Sequence, residues 1–251
     1  MVTGDDRRGP VPDNPVIVAL DLATAEDAVR MAKRVLGHVG GFKVGLGLLH
    51  GPGPLTVPAI VDLGLPVFVD AKLHDIPTQV GAAARRLGRF GTRWMTAHVS
   101  GGEAMLSAAV EGLGETSDGW AGVLGVSVLT SLDGAALTAV GVTTSPGRLV
   151  SRMARVAAAS GCEGLVCSPH ELNVVGTVAP GLLRVTPGVR PVGVADGDQL
   201  RTATPEEAVR RGAGLIVVGR AITAADDPAA AAATIAESLL ELAMDAEEAG
   251  R

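Results

Sequence analysis

The chain has no tyrosine and only three Phe and two Trp in 251 residues, so no phenolic hydroxyl is available to any site. It also has just two cysteines, Cys162 and Cys167, which flank an apolar run and have no His or Cys partner at metal-ligand spacing. That pattern reads as two buried thiols in a protein of the cytoplasm. No apolar stretch approaches the roughly 18 residues of a membrane span. The opening Met1–Pro10 lacks the apolar core of a signal peptide and reads, as far as Asn14, as a disordered tail ahead of one domain over 15–251. Excess basic charge is missing too. A formal net charge of −6 argues against nucleic acid as a partner. Lysine is the most telling scarcity, with three residues (Lys33, Lys43, Lys72) against eighteen arginines.

What the chain does have is 47% hydrophobic residues and 34 glycines, enough for a large buried core. Short Val- and Leu-rich runs recur along it: Val16–Asp21, Gly41–Leu46, Val67–Ala71, Arg93–His98, Ala121–Ser127, Gly164–Cys167, Leu182–Thr186 and Leu215–Val218. Continuous apolar runs of this length suit parallel strands buried on both faces. Between them lie Ala-rich amphipathic segments with start signals at Thr24-Ala25-Glu26-Asp27, Gly102-Glu103 and Thr204-Pro205-Glu206-Glu207. Gly37, Gly64, Gly91, Gly112, Gly161 and Gly212 suit the helix exits. Eight strand–helix units in about 250 residues predict a single-domain α/β fold, a (β/α)8 TIM barrel. Periodicity alone also permits a doubly wound open sheet.

Chemistry concentrates at the ends of these strands. Asp70-Ala71-Lys72-Leu73-His74-Asp75-Ile76-Pro77 follows the apolar run Leu65–Val69. Period-two geometry puts Asp70 and Lys72 on one face at the strand's carboxyl end, with Asp75 in the next turn. Lys43 lies inside a second apolar run. An Arg cannot release its proton near neutral pH, so a Lys retained in a chain that favours Arg points to proton chemistry. An ion pair stitching two strands accounts for Asp70 and Lys72 equally well. Asp21, His98, Thr130, Pro187–Arg190 and Gly219-Arg220 fall at other strand ends, where this fold gathers its functional residues and often binds phosphate. Gly219-Arg220 also fits a plain helix start with a surface Arg. Gly45-Leu46-Gly47 only mimics a dinucleotide fingerprint, because its third glycine is missing. His74 and His98 fit hydrogen-bonding roles in the core better than catalytic ones.

In combination, Val18-Ala19-Leu20-Asp21, Phe42-Lys43-Val44-Gly45, Asp70–Pro77, Thr186–Arg190, Asp198-Gln199 and Val217–Thr223 resemble the orotidine 5′-phosphate decarboxylase family, in order from about Val16 to Pro228. The resemblance implies a homodimeric barrel that converts orotidine 5′-monophosphate to UMP and carbon dioxide in pyrimidine biosynthesis, without metal or organic cofactor. It implies that Lys72 donates the proton to C6, that Asp70 sits against the substrate carboxylate, and that Lys43 and Asp75 complete a charge network. The neighbouring subunit would supply that Asp75. Asp21 and Lys43 would hold ribose hydroxyls, and Arg190, Gly219 and Arg220 the phosphate. Gln199 would help close the phosphate loop and Thr130 would touch the pyrimidine, with Ile76, Thr78 and Gln79 also against substrate. The chain departs from the family at Thr78-Gln79, where Asn-Thr or Thr-Thr is usual, and at Val128, often Gln. Two other classes share some of these features. One is a metal-dependent sugar-phosphate decarboxylase or lyase on the related barrel, with the same Asp-x-Lys-x-x-Asp spacing. The other is a non-catalytic nucleotide-binding barrel, although no charged catalytic position is lost here. The context of His74, Ile76-Pro77 and Thr186–Arg190 favours the pyrimidine reading.

Overall fold

The computed structural model describes residues 8–191 and 202–249. Eight parallel strands close into a barrel in sequence order: β1 (Val16–Ala19), β2 (Gly41–Val44), β3 (Val67–Leu73), β4 (Trp94–His98), β5 (Gly122–Val126), β6 (Gly164–Val166), β7 (Leu183–Pro187) and β8 (Leu215–Val218). β8 returns to pair with β1 through Ile17↔Val217, which rules out the open sheet. Alternation along the strands divides the apolar residues between two cores. Ile17, Ala19, Phe68, Trp94, Leu124, Val185, Leu215 and Val217 form one cluster. Their neighbours Val16, Val18, Phe42, Val67, Val69 and Met95 join a second cluster with helix residues such as Ala28, Ala32 and Leu106. Both faces are apolar because both are covered, which is why the strands read as unbroken hydrophobic runs.

Helix starts fall where their caps predict. The Thr24 side chain accepts from Asp27 N–H ahead of helix Ala25–Val35, and Thr204 accepts from Glu207 N–H ahead of helix Pro205–Arg210. Gly64, Gly91, Gly161 and Gly212 have positive φ at the returns. Two expected exits are corrected. Gly37 lies inside the 3-10 turn Leu36–His38, and Gly112 lies inside helix Glu103–Ser117. A Cβ at Gly112 would stand 2.4 Å from the Gly81 carbonyl of helix Pro77–Gly88, so this glycine serves close helix packing instead.

The floor of the barrel is polar and buried. Glu163 accepts from Arg93 Nη1 at 2.8 Å and Nη2 at 2.7 Å, and from Trp94 Nε1 at 3.0 Å. The guanidinium lies 4.4 Å from the Trp94 ring centroid and 5.8 Å from that of Trp120. Of the segment 1–14 read as a tail, residues 8–14 are described and part of them packs here. Gly9 N–H donates to Trp120 O at 3.0 Å, and Arg93 Nη2 donates to Gly9 O. With Arg93 only 1% exposed, removing its partner leaves a buried, uncompensated charge. Glu163→Ala should therefore lower the unfolding free energy by about 3–5 kcal/mol, measured by urea denaturation. A loss below about 1 kcal/mol would mean that the floor does not depend on this pair.

Candidate active site

At the opposite end of the barrel, four neighbouring strands deliver one charge cluster. β1 runs into Leu20, whose N–H donates to Lys43 O at 2.9 Å and sets Asp21 beside β2. β2 carries Lys43, buried in register with Ala19 of β1 and Phe68 of β3. Lys43 Nζ donates to Asp21 Oδ1 at 3.1 Å and lies 3.5 Å from Asp70 Oδ2. Lys72 Nζ donates to the same Asp70 Oδ2 at 2.7 Å. Thr96 of β4 donates its hydroxyl to Asp70 Oδ1 at 2.9 Å. One carboxylate is thus the hub for two ammoniums and a hydroxyl.

Strict alternation along the strand is not what brings Asp70 and Lys72 together. β3 runs on to Leu73, and its pairing with β4 shifts: Val69 faces Met95, yet Leu73 faces Ala97. Three residues of β3 therefore lie opposite the single residue Thr96, and Lys72 adopts φ +46°, left-handed backbone for a residue with a Cβ. That conformation costs about 1–2 kcal/mol. It persists where surrounding contacts over-determine it, and such strain gathers at functional sites.

Burial alone would raise the Asp70 carboxyl. The Lys43 and Lys72 ammoniums, with hydrogen bonds from Lys72 and Thr96, outweigh that and hold it below its ordinary range. Asp70 is therefore an anion at neutral pH. His98 lies at the end of β4 with its ring centroid 5.4 Å from that of His74. Burial pushes the His98 imidazole down, His74 and Lys72 add to the shift, and Asp70 opposes it, so His98 is neutral at pH 7. Among the described residues, no group of three or more His, Cys, Asp or Glu side chains is placed to hold a metal ion.

The remaining sequence candidates ring the mouth without joining the cluster. Asp75 is exposed, and its Oδ1 accepts from Ile76 N–H at 2.6 Å. Among the described residues no ion pair links it to Lys72. Ile76, Thr78 and Gln79 are exposed at the start of helix Pro77–Gly88, and Thr130 is half-buried after β5. Gly188, with φ +78°, follows β7 and leads into Val189 and Arg190, whose N–H donates to Ala203 O at 3.1 Å. Gly219 ends β8 and caps the short helix Arg220–Thr223. Gln199, with Asp198, lies outside the described residues.

Two site residues escape the sequence reading. Thr96 looks like an ordinary strand threonine, and nothing in its neighbours announces a bulge opposite it. Gly45 is read only as part of the Phe42-Lys43-Val44-Gly45 resemblance and of a failed dinucleotide motif, with no role of its own. A Cβ there would stand 2.6 Å from Asp21 Oδ1 and 2.8 Å from Lys43 Nζ, so only glycine leaves room for that pair.

Comparison with known proteins gives a consistent result. The family described as Orotidine 5′-phosphate decarboxylase / HUMPS family matches residues 14–235. An orotidine 5′-phosphate decarboxylase of Anaeromyxobacter sp. (strain K) is 51% identical over 229 residues, covering 91% of this chain and 99% of the relative. The Thermobifida fusca protein of the same name is 46% identical over 227 residues, covering 90% and 95%. The crystal structure of orotidine 5′-phosphate decarboxylase from Lactobacillus acidophilus superposes with a TM-score of 0.78 at 33% identity, covering 90% of this chain and 98% of that one.

Gly45→Ala tests whether the cluster tolerates crowding. It should move Lys43 Nζ out of hydrogen-bonding distance of Asp21 in a crystal structure and lower the unfolding free energy by about 1–3 kcal/mol, the usual cost of overpacking. An unchanged Asp21–Lys43 contact would show that Gly45 is not there to make room.

Proposed function

The chain belongs to the orotidine 5′-phosphate decarboxylase / HUMPS family, and we propose that it converts orotidine 5′-monophosphate to UMP and carbon dioxide with Lys72 as the proton donor to C6. This is a lyase step of pyrimidine biosynthesis, carried out in the cytoplasm. One observation carries the reading: Lys72 and Lys43 converge on the single anion Asp70, at 2.7 and 3.5 Å, towards the carboxyl ends of the strands.

Departure of carbon dioxide leaves an electron pair on C6 that the ring delocalises poorly. An ammonium already in place stabilises that charge with no solvent reorganisation as it forms. Lys72 then gives C6 a proton, forming the C–H bond as the C–C bond is lost and leaving a neutral amine that recovers its proton from solvent. Asp70 aims the ammonium and, as an anion, repels the substrate carboxylate before reaction. Its two oxygens are occupied by ammoniums and a hydroxyl, which suits this role better than that of a metal ligand.

Binding is assigned to the rim. Asp21 and Lys43 hold ribose hydroxyls, while Arg190, Gly219 and Arg220, with Gln199, take the phosphate. Thr130, Ile76, Thr78 and Gln79 border the pyrimidine and ribose. Phosphate affinity far from C6 supplies energy that orders the reacting groups. Asp75, which makes no ion pair with Lys72 of its own chain among the described residues, serves the pocket of a second subunit in a homodimer. The metal-dependent sugar-phosphate alternative is separated by one assay: loss of orotidine 5′-monophosphate absorbance should be the same with and without EDTA.

The shared site makes a sharper prediction. Lys72→Ala and Asp75→Ala homodimers should each be nearly inactive, since every pocket carries one lesion. In a mixed dimer one pocket carries both lesions and the other carries none. With random exchange about half the dimers are mixed, so about a quarter of all pockets should recover, as two-fold symmetry requires. Refolding the two variants together and measuring activity decides the point. No recovery, with mixed dimers confirmed by mass, would place Asp75 in its own chain's pocket.

A further inference from the structure

We infer that Thr96 is a positioning residue for this chemistry, one buried hydroxyl fixing both the backbone bulge that carries Lys72 and the carboxylate that Lys72 meets. The inference rests on the reading of this cluster as the decarboxylation centre. Its ground is geometric. The bulge in β3 takes Lys72 N–H out of the regular ladder, and an extra residue in a bulge is ordinarily left unpaired. Here the orphaned N–H donates to Thr96 Oγ1 at 2.9 Å. The same hydroxyl donates to Asp70 Oδ1 at 2.9 Å.

The direction of both bonds is forced. A backbone N–H can only donate, so the hydroxyl accepts from it, and its single proton is left for the carboxylate. Asp70 is thereby anchored through Oδ1, which leaves Oδ2 to face Lys72 and Lys43. Thr96 is 1% exposed, so no solvent path supplies a replacement donor or acceptor. The residue makes no contact with the Lys72 ammonium that gives the proton, and bonds only the Lys72 backbone and the Asp70 carboxylate. It acts through the orientation of these two residues, holding a left-handed lysine that would otherwise relax.

Three variants test this. Thr96→Val keeps the shape and removes both hydrogen bonds. Thr96→Ala does the same with room to spare, should the valine methyl disturb folding, and Thr96→Ser keeps both bonds. Val and Ala should lower kcat about ten- to a hundredfold, the range of hydrogen bonds to charged groups. KM should move less than about threefold, because the loss falls on the transition state. Serine should restore kcat to within about threefold of the parent chain.

The acid limb of kcat/KM against pH should also move upward in Val and Ala. Losing a hydrogen bond to the charged carboxylate raises its pKa. The groups facing Asp70 in that titration are Lys43 from β2, Lys72 from β3 and His98 from β4, with Asp21 behind Lys43 and His74 beside His98. Crystal structures of Val and Ala should show Lys72 without positive φ and Lys72 Nζ withdrawn from Asp70. A kcat within about threefold of the parent in Val and Ala, a serine variant as impaired as valine, or an unmoved acid limb would each overturn the inference. If the parent chain proved inert toward orotidine 5′-monophosphate, the decarboxylase reading would fail separately. The crystal structures would still decide: an unaltered Lys72 φ and Lys72–Asp70 contact in both Val and Ala would overturn the role of Thr96.

Discussion

A single carboxylate, Asp70, is the contact on which the site depends. Placed midway along β3, where the pairing with β4 shifts, and largely removed from water, it would be costly as a lone anion. It is stable there because Lys72, Lys43 and Thr96 converge on it from three strands, Lys43 being shared with Asp21. The dependence runs both ways. Without Asp70 the two ammoniums, both reaching the same oxygen, would face each other with no anion between them. A protein that keeps two lysines and one aspartate in such proximity has a pre-set field at the spot where negative charge is to appear, and that is the arrangement a decarboxylation at carbon requires.

The barrel explains how such a cluster is affordable. Its interior from Ile17 to Val217 is apolar, and its floor holds the Arg93–Glu163 pair packed between Trp94 and Trp120. Polar function is confined to the other end, where β1 to β3 supply charge, β4 supplies a hydroxyl, and the loops after β7 and β8 supply glycine and arginine. The two ends use ion pairs in opposite ways. Arg93 and Glu163 satisfy each other with two parallel hydrogen bonds and Trp94 Nε1, so little is left to react. Asp70 is held from both flanking strands, and one of its partners, Lys72, stays partly exposed.

Much of this was legible in the amino-acid sequence, and the exceptions have physical causes. All eight strands fall where apolar runs predict them, because a parallel strand covered on both faces has no choice but to be hydrophobic. Asp21, Lys43, Asp70 and Lys72 come together as expected, because neighbouring parallel strands bring their polar positions to the same end of the barrel. The bulge was not legible. Asp-Ala-Lys reads as simple alternation, and only the pairing with β4 reveals that the lysine is left-handed. Thr96 was hidden for the same reason, its role depending on a partner strand rather than on its neighbours in sequence. Gly45 and Gly112 were misread because a glycine signals the absence of a side chain without saying whether the space is needed for a turn, a helix or an ion pair. Asp75 stands apart from the cluster in a way that sequence spacing alone would not suggest.

The central claim is that the ammonium held by Asp70 is both the charge that stabilises C6 and the proton that ends up on it. Lys72→Arg separates these two roles, because arginine keeps the positive charge but cannot give up its proton near neutral pH. The decisive measurement is turnover of orotidine 5′-monophosphate by Lys72→Arg, with UMP binding measured in parallel. The account predicts that binding of UMP persists while turnover falls by at least about a hundredfold, the scale of a lost general acid. Turnover close to that of the parent chain would contradict it and remove Lys72 from the role of proton donor.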